Sequence, residues 1–109
     1  MAAQIHVERR DDRVAVVTLD DPERRNALSL QLCGDLVATM ESLEADPEVG
    51  GIVITGEGPA FCAGADLTQL GDSASKGLLG IYEGFLAVAR SPIPTVAAVN
   101  GPAVGAGMN

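Results

Sequence analysis

Aromatic side chains are nearly missing from this 109-residue sequence, which has two Phe, one Tyr and no Trp. That excludes the stacking platforms on which single-stranded nucleic acids lie, and it makes any core aliphatic and Ala-rich. Positive charge is also scarce. Seven Lys and Arg stand against fifteen Asp and Glu, for a net charge of −8, which argues against a general phosphate-backbone or anionic-membrane surface. Five of the seven basic residues fall in two clusters, Arg9-Arg10-Arg13 and Arg24-Arg25. Each reads as a solvated surface or as a local anion site. There is one histidine, His6, and two cysteines, Cys33 and Cys62. Their spacing gives neither a metal set nor a disulfide framework and suits a reducing compartment. No apolar run reaches the roughly 18 residues of a membrane span. The start, Met-Ala-Ala-Gln-Ile-His-Val-Glu, has neither a secretory apolar core nor transit-peptide character. The cytoplasm is the expected compartment.

What the sequence has is small and aliphatic residues. Hydrophobic residues make up 47%, too many for a disordered chain, and the length suits one domain. His6 to Arg10 and Arg13 to Leu19 read as strands split by an Asp11-Asp12 turn. The run Val14-Ala15-Val16-Val17-Thr18-Leu19 predicts a strand covered on both faces. Ser29 is a predicted N-cap, followed by a helical stripe of Leu32, Leu36, Met40 and Leu43 that Asp46-Pro47 closes. Gly51 to Thr55 predicts a buried strand and Gly56 to Gly64 a loop. Asp66 caps a predicted short helix from Leu67 to Leu70, and Gly71 to Lys76 reads as a polar loop. Leu78 to Arg90 predicts a helix that Ser91-Pro92-Ile93-Pro94 breaks. Thr95 to Val99 predicts another buried strand, and a helix is predicted to open at Gly105. The alternation implies an α/β layered fold with parallel pairing. The last helix has barely one turn before Asn109, so a longer polypeptide or a second chain is expected to complete the core.

Two stretches of small residues each follow a predicted strand and open a predicted helix: Ala60-Phe61-Cys62-Ala63-Gly64-Ala65-Asp66-Leu67 and Asn100-Gly101-Pro102-Ala103-Val104-Gly105-Ala106-Gly107. Backbone N–H groups at a helix start lack intrahelical partners, and small side chains let a ligand approach them closely. Side by side, two such loops make a two-donor hole for a negative oxygen. Other patterns are weaker. Gly56-Glu57-Gly58 starts a dinucleotide fingerprint that fails at Phe61. Ser73-Ala74-Ser75-Lys76 matches a nucleophile–base spacing but reads as a solvated loop. Cys62 reads as a small buried thiol, and Asp66 as a helix cap.

Four linked segments resemble the crotonase, or enoyl-CoA hydratase/isomerase, superfamily: Pro22-Glu23-Arg24-Arg25-Asn26-Ala27-Leu28, Ile54-Thr55-Gly56, the Ala60–Leu67 stretch, and Ser91 through Gly101. The resemblance covers nearly the whole chain. It implies a spiral of strand–strand–helix repeats, of which residues 1–109 form the N-terminal part, assembled as trimers or paired trimers. It implies a coenzyme A thioester as substrate or ligand, no covalently bound cofactor and no metal. It sets the backbone N–H groups of Ala65 and Ala106 as the oxyanion donors for the thioester carbonyl. Such donors are worth ~10²–10³ in rate each. It assigns coenzyme A contacts to Arg24, Arg25, Ala27, Ala63, Ala65, Asp66 and Leu67.

One position departs from the pattern. The resemblance puts a hydratase glutamate where this sequence has Asn109. A carboxylate accepts a proton from water, whereas an amide does not at neutral pH. The second hydratase carboxylate would lie beyond Asn109. Three readings follow: the N-terminal part of an acyl-CoA lyase or isomerase, a non-catalytic acyl-CoA binder, and an oligomerisation unit.

Overall fold

The computed structural model describes residues 3–66 and 74–109. The predicted helix of residues 67–70 lies outside them, as do Leu67 and Ser73. The chain opens with an antiparallel hairpin, β1 (Gln4–Arg9) and β2 (Val14–Asp20). Its turn is closed by Arg10 N–H donating to Val14 O at 2.8 Å. Helix α1 (Leu30–Glu44) then crosses over to β3 (Gly51–Gly56), which pairs parallel with β2. Helix α2 (Ala74–Ala89) crosses to β4 (Thr95–Ala97), parallel with β3. The result is one four-stranded sheet in sequence order. It matches the expected α/β architecture of strand–strand–helix repeats.

The core lies between the sheet and α1. Ala15, Val17 and Leu19 of β2 and Ile52 and Ile54 of β3 face it. From the helix come Leu32, Leu36, Met40 and Leu43, the predicted stripe, together with Cys33. Ser29 caps α1 as expected, its Oγ accepting from Leu32 N–H at 3.1 Å. Helix α2 lies against α1, with Ile81 fully buried and Cys33 Sγ donating to Ile81 O.

Three expectations are corrected. β2 is buried on one face only, and its alternate residues Val14, Val16 and Thr18 are half-buried, because the helices described here cover a single side of the sheet. Helix α2 begins four residues before Leu78, at Ala74. β4 is not a buried strand reaching Val99. It ends at Ala97 and forms the sheet's edge, with Val96 62% and Val99 58% exposed. An apolar run reports what a strand is fit to bury, not which neighbour buries it.

Candidate functional site

Beyond the sheet's carboxyl end, three short backbone strips lie side by side. The first is Arg25 to Leu28, which leaves the 3₁₀ turn Pro22–Arg24. Arg25 and Asn26 take consecutive left-handed conformations (φ 53° and 59°). The second strip, 60–66, runs between the other two. Ala63 N–H donates to Arg25 O at 3.0 Å, Leu28 N–H to Gly64 O at 2.7 Å, and Asp66 N–H to Leu28 O at 2.9 Å. The third strip, 102–107, closes the other side. Phe61 and Cys62 N–H both donate to Pro102 O, at 3.1 and 3.2 Å, and Val104 N–H donates to Cys62 O at 3.0 Å. Parallel bridges Leu28–Ala65 and Cys62–Ala103 fix the registers.

This register decides where the Ala65 amide faces. Gly64 O and Asp66 N–H both point at Leu28. In an extended strip the residue between two such groups turns its own N–H to the opposite side. That side is the one where the 102–107 strip lies. Ala65 donates to no other backbone carbonyl among the described residues, and neither does Ala106. The two strips touch closely. A Cβ built on Gly64 (φ +101°) would stand 2.8 Å from Val104 O and 3.7 Å from Ala106 N. One on Gly107 would stand 2.8 Å from the Cys62 carbonyl carbon and run into its oxygen. Only glycine permits these approaches.

Ala106 stands where the sequence predicts a helix to open, at Gly105. It lies inside a three-residue 3₁₀ turn, Gly105–Gly107. Next to it opens an apolar cavity of about 390 Å³, within the range of small-molecule pockets. Ala106, Gly107 and Asn109 line it, along with Phe61, Cys62, Ile54, Phe85 and Val88. Ala65 stands at the neighbouring strip and is not part of this lining.

The other predicted site residues flank the strips. Arg25 is exposed and Ala27 and Ala63 are half-buried. Arg24, 45% exposed at its side chain, reaches inward to two buried carboxylates, Asp21 Oδ1 at 3.5 Å and Asp66 Oδ2 at 3.9 Å. Leu67 lies outside the described residues. Burial pushes the Cys62 thiol above its ordinary value, against a lowering by its hydrogen bond with Gly64. Burial also takes Cys33 up to about 12, with Cys62 adding to it. Both therefore stay protonated at neutral pH, which suits small buried thiols better than nucleophiles. Among the described residues no group of three or more His, Cys, Asp and Glu is placed to hold a metal. None of their helices is long and apolar enough to cross a membrane.

Sequence reading passes over two residues here, Asn26 and Asn100. Asn26 is completely buried. Its Oδ1 accepts from Asp21 N–H at 2.7 Å, and its Nδ2 donates to Glu57 O and Ala60 O, both at 3.0 Å. Asn100 donates from Nδ2 to Gly58 O at 3.0 Å and Ala60 O at 3.2 Å, while its Oδ1 accepts from Gly56 N–H at 3.1 Å. An Asn after Arg-Arg in a Pro-led turn is a sign of left-handed backbone. That sign alone would have singled out Asn26.

The family model described as Enoyl-CoA hydratase/isomerase matches residues 9–109. The chain belongs to this family. Among curated members, it is 50% identical over 103 residues to the "Probable enoyl-CoA hydratase EchA14" of Mycobacterium tuberculosis, covering 91% of this chain and 40% of that protein. Two solved structures of the family are similar. The enoyl-CoA hydratase of Bacillus anthracis superposes with a TM-score of 0.87 at 30% identity, over 94% of this chain and 42% of that one. An enoyl-CoA hydratase/isomerase of Xanthobacter autotrophicus Py2 gives 0.83 at 34% identity, over 94% and 40%. The chain thus spans about two-fifths of the length of the family members it matches. The expected crotonase-like fold, as part of a longer unit, agrees with these likenesses.

Proposed function

We propose that this chain holds the thioester carbonyl of an acyl-coenzyme A between the backbone N–H groups of Ala65 and Ala106, and that the apolar cavity beside Ala106 receives the acyl group. One observation carries the reading. The bridge to Leu28 turns the Ala65 N–H toward the strip that contains Ala106, and neither amide donates to another backbone group among the described residues. Backbone donors are normally paired; these two half-buried N–H groups on neighbouring strips, one of them lining an apolar cavity, suit an oxygen brought by a ligand. Addition to a thioester, or loss of its α-proton, builds negative charge on that oxygen. Preorganised donors stabilise the charge without reorganising. Arg24 and Arg25 are assigned to the coenzyme A phosphates, with Ala27, Ala63, Asp66 and Leu67 beside the nucleotide and pantetheine portions. Arg25, exposed on its left-handed turn, is the freer of the two cations, because Arg24 also balances Asp21 and Asp66.

Asn109 favours a second reading, a binder that has the pocket without the base. It lines the cavity where a hydratase of this family would present a carboxylate, and its amide cannot take a proton from water. Assembly as a trimer or hexamer comes with the family resemblance, and sedimentation analysis tests it. Calorimetry with an acyl-CoA and with free coenzyme A tests the main reading. Tighter binding of the thioester is expected, and equal affinity for the two refutes it. An assay of water addition to crotonyl-CoA separates the two readings: ordinary turnover removes the pure binder.

A further inference from the structure

The two candidate donors lie on separate strips, and something must fix the spacing between them. The first and third strips are tied to one atom of the second. The carbonyl oxygen of Ala60 accepts from Asn26 Nδ2 at 3.0 Å and from Asn100 Nδ2 at 3.2 Å. Asn26 belongs to the first strip, whose Leu28 is bridged to Ala65. Asn100 leads into the third, whose Pro102 O takes two N–H groups from Phe61 and Cys62 and whose turn carries Ala106. Each amide also holds the turn that precedes Ala60, Asn26 through Glu57 O and Asn100 through Gly58 O and Gly56 N–H. Gly56 leaves room for nothing else, since a Cβ there would be 2.5 Å from Ala60 O and 2.7 Å from Asn26 Nδ2.

We infer that Asn26 and Asn100 are positioning residues that pin the two oxyanion donors to one spacing through the shared Ala60 carbonyl. The inference rests on the proposed function. Neither side chain touches the thioester. Their effect on it passes along backbone strips with hydrogen bonds on both edges, which transmit a displacement better than free loops do.

Replacing either by Asp keeps size and shape but removes the N–H donors, and it points a carboxylate at a carbonyl. Asn26→Asp risks the fold, because Asn26 is fully buried. Asn100→Asp, at an exposed residue, is the deciding variant. The test uses the full chain and two readouts: the amide resonances of Ala65 and Ala106 without ligand, and the ratio of affinities for an acyl-CoA and for free coenzyme A. In Asn100→Asp both resonances are expected to move, and the ratio to fall about tenfold, the weight of one hydrogen bond. A merely structural role would lower the melting temperature and leave the ratio alone. If the unmodified protein prefers the thioester but Asn100→Asp keeps both resonances and the ratio, the pin is wrong and the functional reading stands. If the unmodified protein shows no preference, both fall.

Discussion

Gly107→Ala puts the arrangement of the two strips to its hardest test. The new methyl would stand 2.8 Å from both the carbonyl carbon and the Cβ of Cys62, and closer still to the carbonyl oxygen. Carbon pairs rest at about 3.5–4.0 Å, so the strips must separate by roughly 0.7 Å or more. The Cys62 carbonyl cannot simply swing away, because it accepts from Val104 N–H at 3.0 Å and its residue is bridged to Ala103. Overpacking of this kind costs about 1–3 kcal/mol, with a fall in melting temperature of about 4–8 °C per kcal/mol for a domain of this size. The functional loss should be larger in proportion. Ala106 precedes the substituted residue directly and must move with it. A misplacement near 1 Å in a reacting geometry costs about 10²-fold, similar to removing one oxyanion donor. The measurement is the carbonyl stretch of a ¹³C-labelled thioester bound to the protein. It is expected to lie below the solution frequency in the unmodified chain and to return toward it in Gly107→Ala. Gly34→Ala serves as control: a Cβ there meets nothing within 4 Å on the exposed side of α1, and stability should rise by about 0.5–1 kcal/mol. An unchanged carbonyl shift in Gly107→Ala refutes the placement of Ala106 as a donor.

Leu32→Ala, at a side chain with no exposure, should cost about 2–5 kcal/mol in a denaturant titration, while Ser29→Ala, which removes the α1 cap, should cost about 0.5–2 kcal/mol. Arg24→Ala strips the balancing charge from the buried Asp21 and Asp66; a loss of about 1–3 kcal/mol is expected in the absence of any ligand, whereas a residue serving only a coenzyme A phosphate would leave the free protein unmoved. The fold should weaken at alkaline pH. Cys33 has a raised pKa, from 9.0 to about 12, so its contribution is whole below the unfolded value and is lost as pH rises from about 9 through about 12. Cys33→Ala should flatten that part of a stability–pH curve.

The elements that sequence reading finds are those whose signals are local. The α1 stripe, the Ser29 cap and the Asp11-Asp12 turn each depend on neighbours within a few residues, and the structure has all three. The environment of β4 was not legible, because Val96 and Val99 look the same in sequence whether an adjoining strand covers them or not. The start of α2 was hidden for a related reason. Ala74, Ser75 and Lys76 carry no apolar periodicity, so the helix turn that precedes Leu78 leaves no mark. The small-residue loops were legible as places of close approach, since Gly and Ala leave room for it. Their relation was not, because it runs through the Pro102 carbonyl and the Leu28 bridge, contacts between residues about 40 positions apart.

Asn26 shows where the division lies. Its neighbours Glu23, Arg24 and Arg25 are exposed, and a polar residue in such company reads as surface. It is instead fully buried, because the left-handed backbone at Arg25 and Asn26 turns the chain inward for one residue. A buried amide must satisfy its donors and acceptor. It does so on backbone groups of Asp21, Glu57 and Ala60, the last two in the turn before the candidate donor strip and at its first residue. Burial therefore forces the contact that ties the first strip to the second. The same logic applies in weaker form to Asn100, whose amide meets that turn from the other side while remaining exposed. A chain poor in aromatics has few large rings to wedge three strips together. Here two side-chain amides, and glycines too small to keep the strips apart, add to the backbone bridges that set the register.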